Sequence, residues 1–197
     1  VDDAGDVVST DGQLGDGDAV VSAIDYTLAG DIENLQLTGT AIAGMGNAYT
    51  NVLIGNDGGN VLDGAGGADS LIGGLGDDVY MLDDANDWVA EYGDEGFDEV
   101  RSSVSVTLAE NVEVLTLAGS AALSGVANSG DSMLRGNVGD NVLQGGSGAN
   151  VLLGDAGNDA LTAGAGPKVF EAHSAPFACS ETTFKAAASP SFGGSLP

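Results

Sequence analysis

Between Asn51 and Val89 the chain repeats itself every nine residues. Asn51, Asn60, Asp69, Asp78 and Asp87 fall in one column, and Leu53, Leu62, Leu71, Tyr80 and Val89 fall in a second, two places later. Glycines crowd the turn places ahead of each column residue: Gly55, Gly58 and Gly59, then Gly64, Gly66 and Gly67, then Gly73, Gly74 and Gly76. A period of nine is neither the 3.6 of a helix nor the 2 of a simple hairpin strand. It suits a turn followed by a very short strand whose apolar residue points inward. Two such nonapeptides close one coil of about 18 residues. Leu53 should then stack on Leu71 and Val89, and Leu62 on Tyr80. Coils paired as strands lie about 4.8 Å apart, which also stacks Asn51 over Asp69 over Asp87, and Asn60 over Asp78. A flexible Gly/Asp linker has no reason to hold an apolar column in phase with an acidic one.

Carboxylates stacked at that spacing repel unless a cation lies between them. Ca²⁺ takes 6–8 oxygen ligands, including backbone carbonyls, and glycine-rich turns present carbonyls freely. The run GGLGDDVYM (73–81) fits G-G-x-G-x-D-x-U-x at every fixed position, a pattern already described as the calcium-binding nonapeptide of RTX proteins. The sequence therefore resembles the RTX, or haemolysin-type calcium-binding, repeat family of long bacterial arrays. The resemblance implies an all-β fold, a right-handed parallel β-roll or β-solenoid, with Ca²⁺ between the turns of successive coils. By that resemblance the metal ligands are Asp69, Asp78, Asp87, Asp159, Asn51, Asn60, Asn141 and Asn150, with turn carbonyls from Gly55, Gly64, Gly73, Gly76 and Gly154. Residues two repeats apart pair: Asn51 with Asp69, Asn60 with Asp78, Asp69 with Asp87, and Asn141 with Asp159. Asp78 and Asp69 match the motif best, then Asp159. Loop 82–87 lacks glycines, which weakens Asp87, and GAGGAD (64–69) puts Ala65 where the pattern has glycine. Asp57, Asp77 and Asp155 hold variable positions and are expected in solvent.

A longer repeat underlies the short one. VDDAGDVV (1–8) recurs as LDDANDWV (82–89), residues 22–39 recur as 102–119, and 55–80 recur as 136–161, at offsets of 80 or 81. Such self-similarity marks an array, divided here into residues 1–81 and 82–166. The glycine-poor parts, such as VVSAIDYTL and VRSSVSVTL, are rich in β-branched residues and read as strand. They are expected to continue the solenoid as wider or less regular coils, with small antiparallel hairpins as the alternative. GFDEV (96–100) reads as a return to the motif after a slip of two residues. In the second copy the column is Ser132, Asn141, Asn150 and Asp159, over Leu134, Leu143, Leu152 and Leu161. Asparagine brings an oxygen without charge and can hydrogen-bond along a stack, so tighter calcium sites are expected in the first copy. After Gly166 the composition shifts, and all 4 prolines fall in the last 31 residues. Segment 167–197 reads as a cap, as part of an uncleaved secretion signal of the kind the resemblance suggests, or as a foreign segment.

The chain carries 30 acids against 4 Lys+Arg, a formal charge of −26. That surface repels nucleic acid, and no run of apolar residues is long enough to span a bilayer. Calcium ions are the expected partners, with self-association through open solenoid ends as a further possibility. Cys179 is the only cysteine, so no intramolecular disulfide can form, and the single histidine, His173, excludes a multi-His zinc site. Neither H-E-x-x-H nor G-x-S-x-G occurs. A Cys179–His173 pair in a Pro-interrupted segment reads as incidental, and Asp83 and Asp84 as surface groups. No enzyme is expected in this segment. Trp88 and Tyr92 are expected to cover a coil end or flank. Val1 follows no initiating Met and is read as internal to a longer protein. The resemblance implies an extracellular or cell-surface protein, secreted by a type I route and folding on Ca²⁺. Its role is then a structural or adhesive array, or alternatively the folding and secretion module of an enzyme whose catalytic domain lies outside this chain. Ice binding would want outward Thr rows, where the repeats offer Val61, Ser70 and Val79.

Overall fold

A computed structural model describes residues 1–3, 6, 8 and 17–171. Among the described residues there is no helix. One sheet holds β1 (Ala19–Ser22), β3 (Asn34–Leu37), β5 (Val52–Ile54), β7 (Ser70–Ile72) and β9 (Trp88–Ala90). A second runs through β2 (Tyr26–Thr27), β4 (Ala43–Asn47), β6 (Val61–Ala65), β8 (Val79–Leu82), β10 (Glu99–Ser102), β12 (Val114–Leu117), β14 (Ser132–Arg135), β16 (Asn150–Leu153) and β18 (Lys168–Glu171). A third holds β11 (Val106–Thr107), β13 (Ser124–Val126), β15 (Val142–Gln144) and β17 (Ala160–Thr162). Every pairing is parallel, and the chain changes sides at each strand, which makes a β-solenoid of about eight coils.

The register is the one the nine-residue period predicts. Leu53 pairs with Leu71, Leu71 with Val89, and Leu62 with Tyr80. In the second copy Leu143 pairs with Leu161 and Leu134 with Leu152. The three-residue strands β5, β7 and β15 each turn one leucine inward, and the longer strands turn alternate residues inward, so files of mostly leucine side chains fill the core. Leu53, Leu62, Leu71, Leu134, Leu143 and Leu152 are fully buried, each worth about 1.5–3 kcal/mol of transfer free energy.

The glycine-poor segments continue the parallel solenoid and form no hairpins. Their coils are irregular in length. Ala19 pairs with Asn34 and Glu99 with Val114, a shorter step than that from Leu53 to Leu71. The entry coil of each copy is therefore narrower than the regular coil and not wider. The turns LAGDI and LAENV shorten it, with Leu28, Ile32, Leu108 and Val112 packed inward. Val79 pairs with Val61 on one side and with Glu99 on the other, and the longer second step is the two-residue slip before GFDEV. Trp88 and Tyr92 lie largely in solvent, 57% and 70% exposed. Strand β18 continues the register past Gly166, Val151 pairing with Val169. His173, Cys179 and the rest of 172–197 lie outside the described residues.

Candidate metal centre

Two columns of side chains run up the turns of the first copy. In one, the Asn51 N–H donates to Asp69 Oδ1 at 2.7 Å and the Asp69 N–H donates to Asp87 Oδ1 at 3.0 Å. In the other, the Asn60 N–H donates to Asp78 Oδ1 at 2.6 Å, the Asp78 N–H to Asp98 Oδ1 at 2.8 Å, and the Asp98 N–H to Glu113 Oε2 at 2.8 Å. Each aspartate thus has one oxygen on the backbone of the preceding coil. The second oxygens of Asp69 and Asp78 have no hydrogen-bond partner, although both residues are 1% exposed. A buried, ionised, unpartnered oxygen is strongly disfavoured unless a cation meets it. Gly64 and Gly73 make room for these oxygens: a Cβ at Gly64 would collide with Asp69 Oδ2, and one at Gly73 with Asp78 Oδ2 and the Tyr80 hydroxyl. Ala65, in the place where the motif has glycine, is held in the left-handed region at φ 58°.

The column asparagines are arranged differently. Asn51 Oδ1 accepts the Asn47 N–H and Asn60 Oδ1 accepts the Asn56 N–H, each at 2.7 Å. Asn141 Oδ1 accepts the Asn137 N–H at 2.7 Å, and Asn150 Oδ1 the Gly146 N–H at 2.5 Å. Their amide groups donate onward, Asn51 to the Ile32 and Glu33 carbonyls and Asn60 to the Ala41 carbonyl. Asp87 behaves like these asparagines, since its Oδ2 accepts the N–H groups of Asp83 and Asp84. Asp159 Oδ1 accepts the Asn141 N–H at 2.8 Å, and a Cβ at Gly154 would run into Asp159 Oδ2. Asp57 and Asp77 are exposed, and half-buried Asp155 pairs with Arg135.

Two arrangements escape a reading of the sequence alone, although Asp78 and Asp98 are each legible in it. Asn47 and Asn128 donate from Nδ2 to both ends of the short turns, Asn47 to the Ala29 and Ile32 carbonyls and Asn128 to those of Ala109 and Val112. They tie the first glycine-rich coil to the narrow coil below it, and their recurrence at the same place in both copies was the available signal. The second group is a buried trio. Asp78, Glu91 and Asp98 each offer one carboxylate oxygen, and the three atoms lie within 4.8 Å of one another. The Tyr80 hydroxyl hydrogen-bonds Glu91 Oε1, while Glu91 Oε2 is buried without a partner.

The electrostatics follow from burial without countercharge. Burial pushes the Asp69 carboxyl up to about 7, against the pull of the Asn51 N–H and with help from Asp87, Asp83 and Asp84. Asp78 rises to about 7 by burial, opposed by the Asn60 N–H and reinforced by Asp98. Glu91 rises to about 8 and Asp98 to about 6, burial leading in both. Burial also raises Asp159. An all-oxygen, anionic donor set of this kind fits a hard cation such as Ca²⁺.

Parallel coils whose turns bury uncompensated carboxylates define a cation-binding β-solenoid. Residues 45–89 and 127–167 match the family model of the RTX calcium-binding nonapeptide repeat, in four copies. The two glycine-rich blocks are thus RTX calcium-binding nonapeptide repeats. No curated protein and no solved structure matches it.

Proposed function

We propose that this segment folds on binding Ca²⁺ outside the cell and serves there as a structural or adhesive array. The observation that carries the reading is the pair of buried, unpartnered oxygens, Asp69 Oδ2 and Asp78 Oδ2. Without a cation, ionising these groups opposes closure of the coils; with one, its binding free energy becomes folding free energy. Asp69 and Asp78 are the principal ligands, with Asp159 serving the second copy, and turn carbonyls such as those of Gly64, Gly73 and Gly154 complete the oxygen shell. Asn51, Asn60, Asn141 and Asn150 act chiefly as hydrogen-bonded rungs between these positions. The chain's own residues thus set the turn and exclude water from it, while the ion supplies positive charge.

A chain that stays open at low calcium can pass a narrow type I secretion channel and close outside. The long repeat, together with acids that serve the ladder, favours a structural role over a catalytic one. The test is circular dichroism of the full chain during a calcium titration. We expect the β signal to collapse in millimolar EGTA and return with Ca²⁺. A β signal indifferent to EGTA at pH 8 would refute calcium-driven folding.

A further inference from the structure

We propose that Asp78, Asp98 and Glu91 together form a three-carboxylate site for one Ca²⁺-class cation, tighter than the ordinary nonapeptide sites of this chain. The inference rests on the calcium reading above and adds a ligand that lies outside the nonapeptide motif.

Glu91 follows β9 as Gly73 follows β7 and Gly55 follows β5. It therefore stands where the motif places its first glycine, the position whose missing side chain makes room for the column carboxylate. A side chain is admitted here because the coil is two residues longer: the step from Val79 to its partner Glu99 exceeds that from Val61 to Val79. The extra length is taken up in segment 92–97, where the Tyr92 N–H donates to Glu95 Oε2 at 2.8 Å and Asp94 adopts φ 68°. Glu91 is 8% exposed, Asp78 1% and Asp98 1%, and their carboxylates converge within 4.8 Å. Two of the converging groups leave an oxygen unpartnered, Asp78 Oδ2 and Glu91 Oε2. Among the described residues no side-chain cation is seen to balance them: the two ion pairs, Arg101–Glu99 and Arg135–Asp155, engage none of the three. Three buried anions meeting with free oxygens form a hard-cation site, and calcium affinity climbs over decades with ligand charge and rigidity. The Asp69 turn has one such oxygen, because its upper neighbour Asp87 is tied to the N–H groups of Asp83 and Asp84.

The experiment is a chelator-competition calcium titration of the full chain, wild type against Glu91→Gln and Asp69→Asn. We expect the wild type to bind one Ca²⁺ at least about tenfold more tightly than the rest. Glu91→Gln should erase that class and leave the weaker ones, and Asp69→Asn should leave it in place. Superimposed wild-type and Glu91→Gln isotherms overturn the proposal while leaving the calcium reading intact; a wild type that takes up no Ca²⁺ overturns both. If Glu91→Gln fails to fold, Tb³⁺ provides the second measurement. Tyrosine-sensitised emission from the first equivalent of Tb³⁺ should be lost in Tyr80→Phe, whose hydroxyl touches Glu91, and undiminished emission overturns the proposal.

Discussion

Replacing Asp69 and Asp78 by asparagine should strengthen the ion-free solenoid and weaken the calcium-loaded one. Each carboxyl is raised from 3.8 to about 7 in the ion-free fold. That is about three units at 1.36 kcal/mol each, so holding either group ionised at pH 8 opposes folding by up to about 4 kcal/mol. An amide carries no such penalty and keeps an oxygen for the N–H of the preceding coil. The chain makes one such exchange itself, since Asn150 holds the place of Asp69 in the second copy and is 1% exposed. In a domain of this size 1 kcal/mol shifts Tm by about 2–4 °C. Asp78→Asn alone should then raise Tm in EGTA at pH 8 by as much as about 8–16 °C. In calcium the gap narrows by about 2.7 kcal/mol at a free concentration of one hundred times Kd and closes at about 4.1 kcal/mol near one thousand times Kd, so the order reverses above that concentration. The assay is thermal unfolding followed by circular dichroism, with and without EGTA. An asparagine variant less stable than wild type under both conditions would show that the unpartnered oxygens are not the source of calcium dependence.

The pH dependence has a definite sign. Because Asp69, Asp78, Asp98 and Glu91 are all raised by burial, the ion-free fold holds more protons than the unfolded chain between about pH 4 and 8. Its stability is therefore greatest at the acid end and falls as pH rises through about 6 to 8, so acidification to about pH 5 in EGTA should restore β signal. Calcium binding should move the other way and weaken on acidification, since protons compete for the same oxygens. Gly73→Ala should abolish the Asp78 site, because the added Cβ meets Asp78 Oδ2 and the Tyr80 hydroxyl; a calcium stoichiometry unchanged from wild type would count against that geometry.

The columns, the inward leucines and the two-residue slip are all legible in the sequence, because a nine-residue period fixes which residues lie above one another. Asp98 can be placed in the column from GFDEV alone. What the period does not encode is how unlike chemistry solves the same position. An asparagine in the column looks like a weak ligand on paper, yet Asn51 and Asn60 use Oδ1 on the N–H of Asn47 and Asn56. Glu91 reads as a lost glycine, and its inward aim depends on a coil length that only the register reveals. The narrow coils are hidden for a related reason. β-Branched residues indicate strand but not span, and the closing bonds come from Asn47 and Asn128, a full coil further along the chain. The size of Trp88 and Tyr92 suggests a covering role, but on a thin solenoid an outward aromatic has nothing to fold back upon.

The long repeat has a consequence for how such a chain holds together. The first copy's β1 recurs in the second copy as β10, nine strands later, and nine is odd. The second copy is therefore turned to the opposite side: β1 and β3 belong to the five-stranded sheet, while their counterparts β10 and β12 belong to the nine-stranded one. Each copy opens a new sheet with a two-residue strand, β2 in the first and β11 in the second. At the junction β9 and β11 do not pair, and a cleft lined by Asp84, Asp87, Val104 and Thr107 lies between their flanks. On the other side β8, β10 and β12 pair without interruption, Tyr80 beside Val100 beside Leu115. The joint is lapped, so one sheet always crosses the seam where the other stops. Hydrogen exchange in calcium should report this asymmetry, because local opening follows the least-paired segment. Amides of Val100 and Arg101 should exchange at rates near those of the core, whereas those of Ser105 and Val106, which begin a sheet, should exchange much faster. Equal protection on both sides of the junction would mean that the β9–β11 break closes in solution and that the lapped joint does not exist.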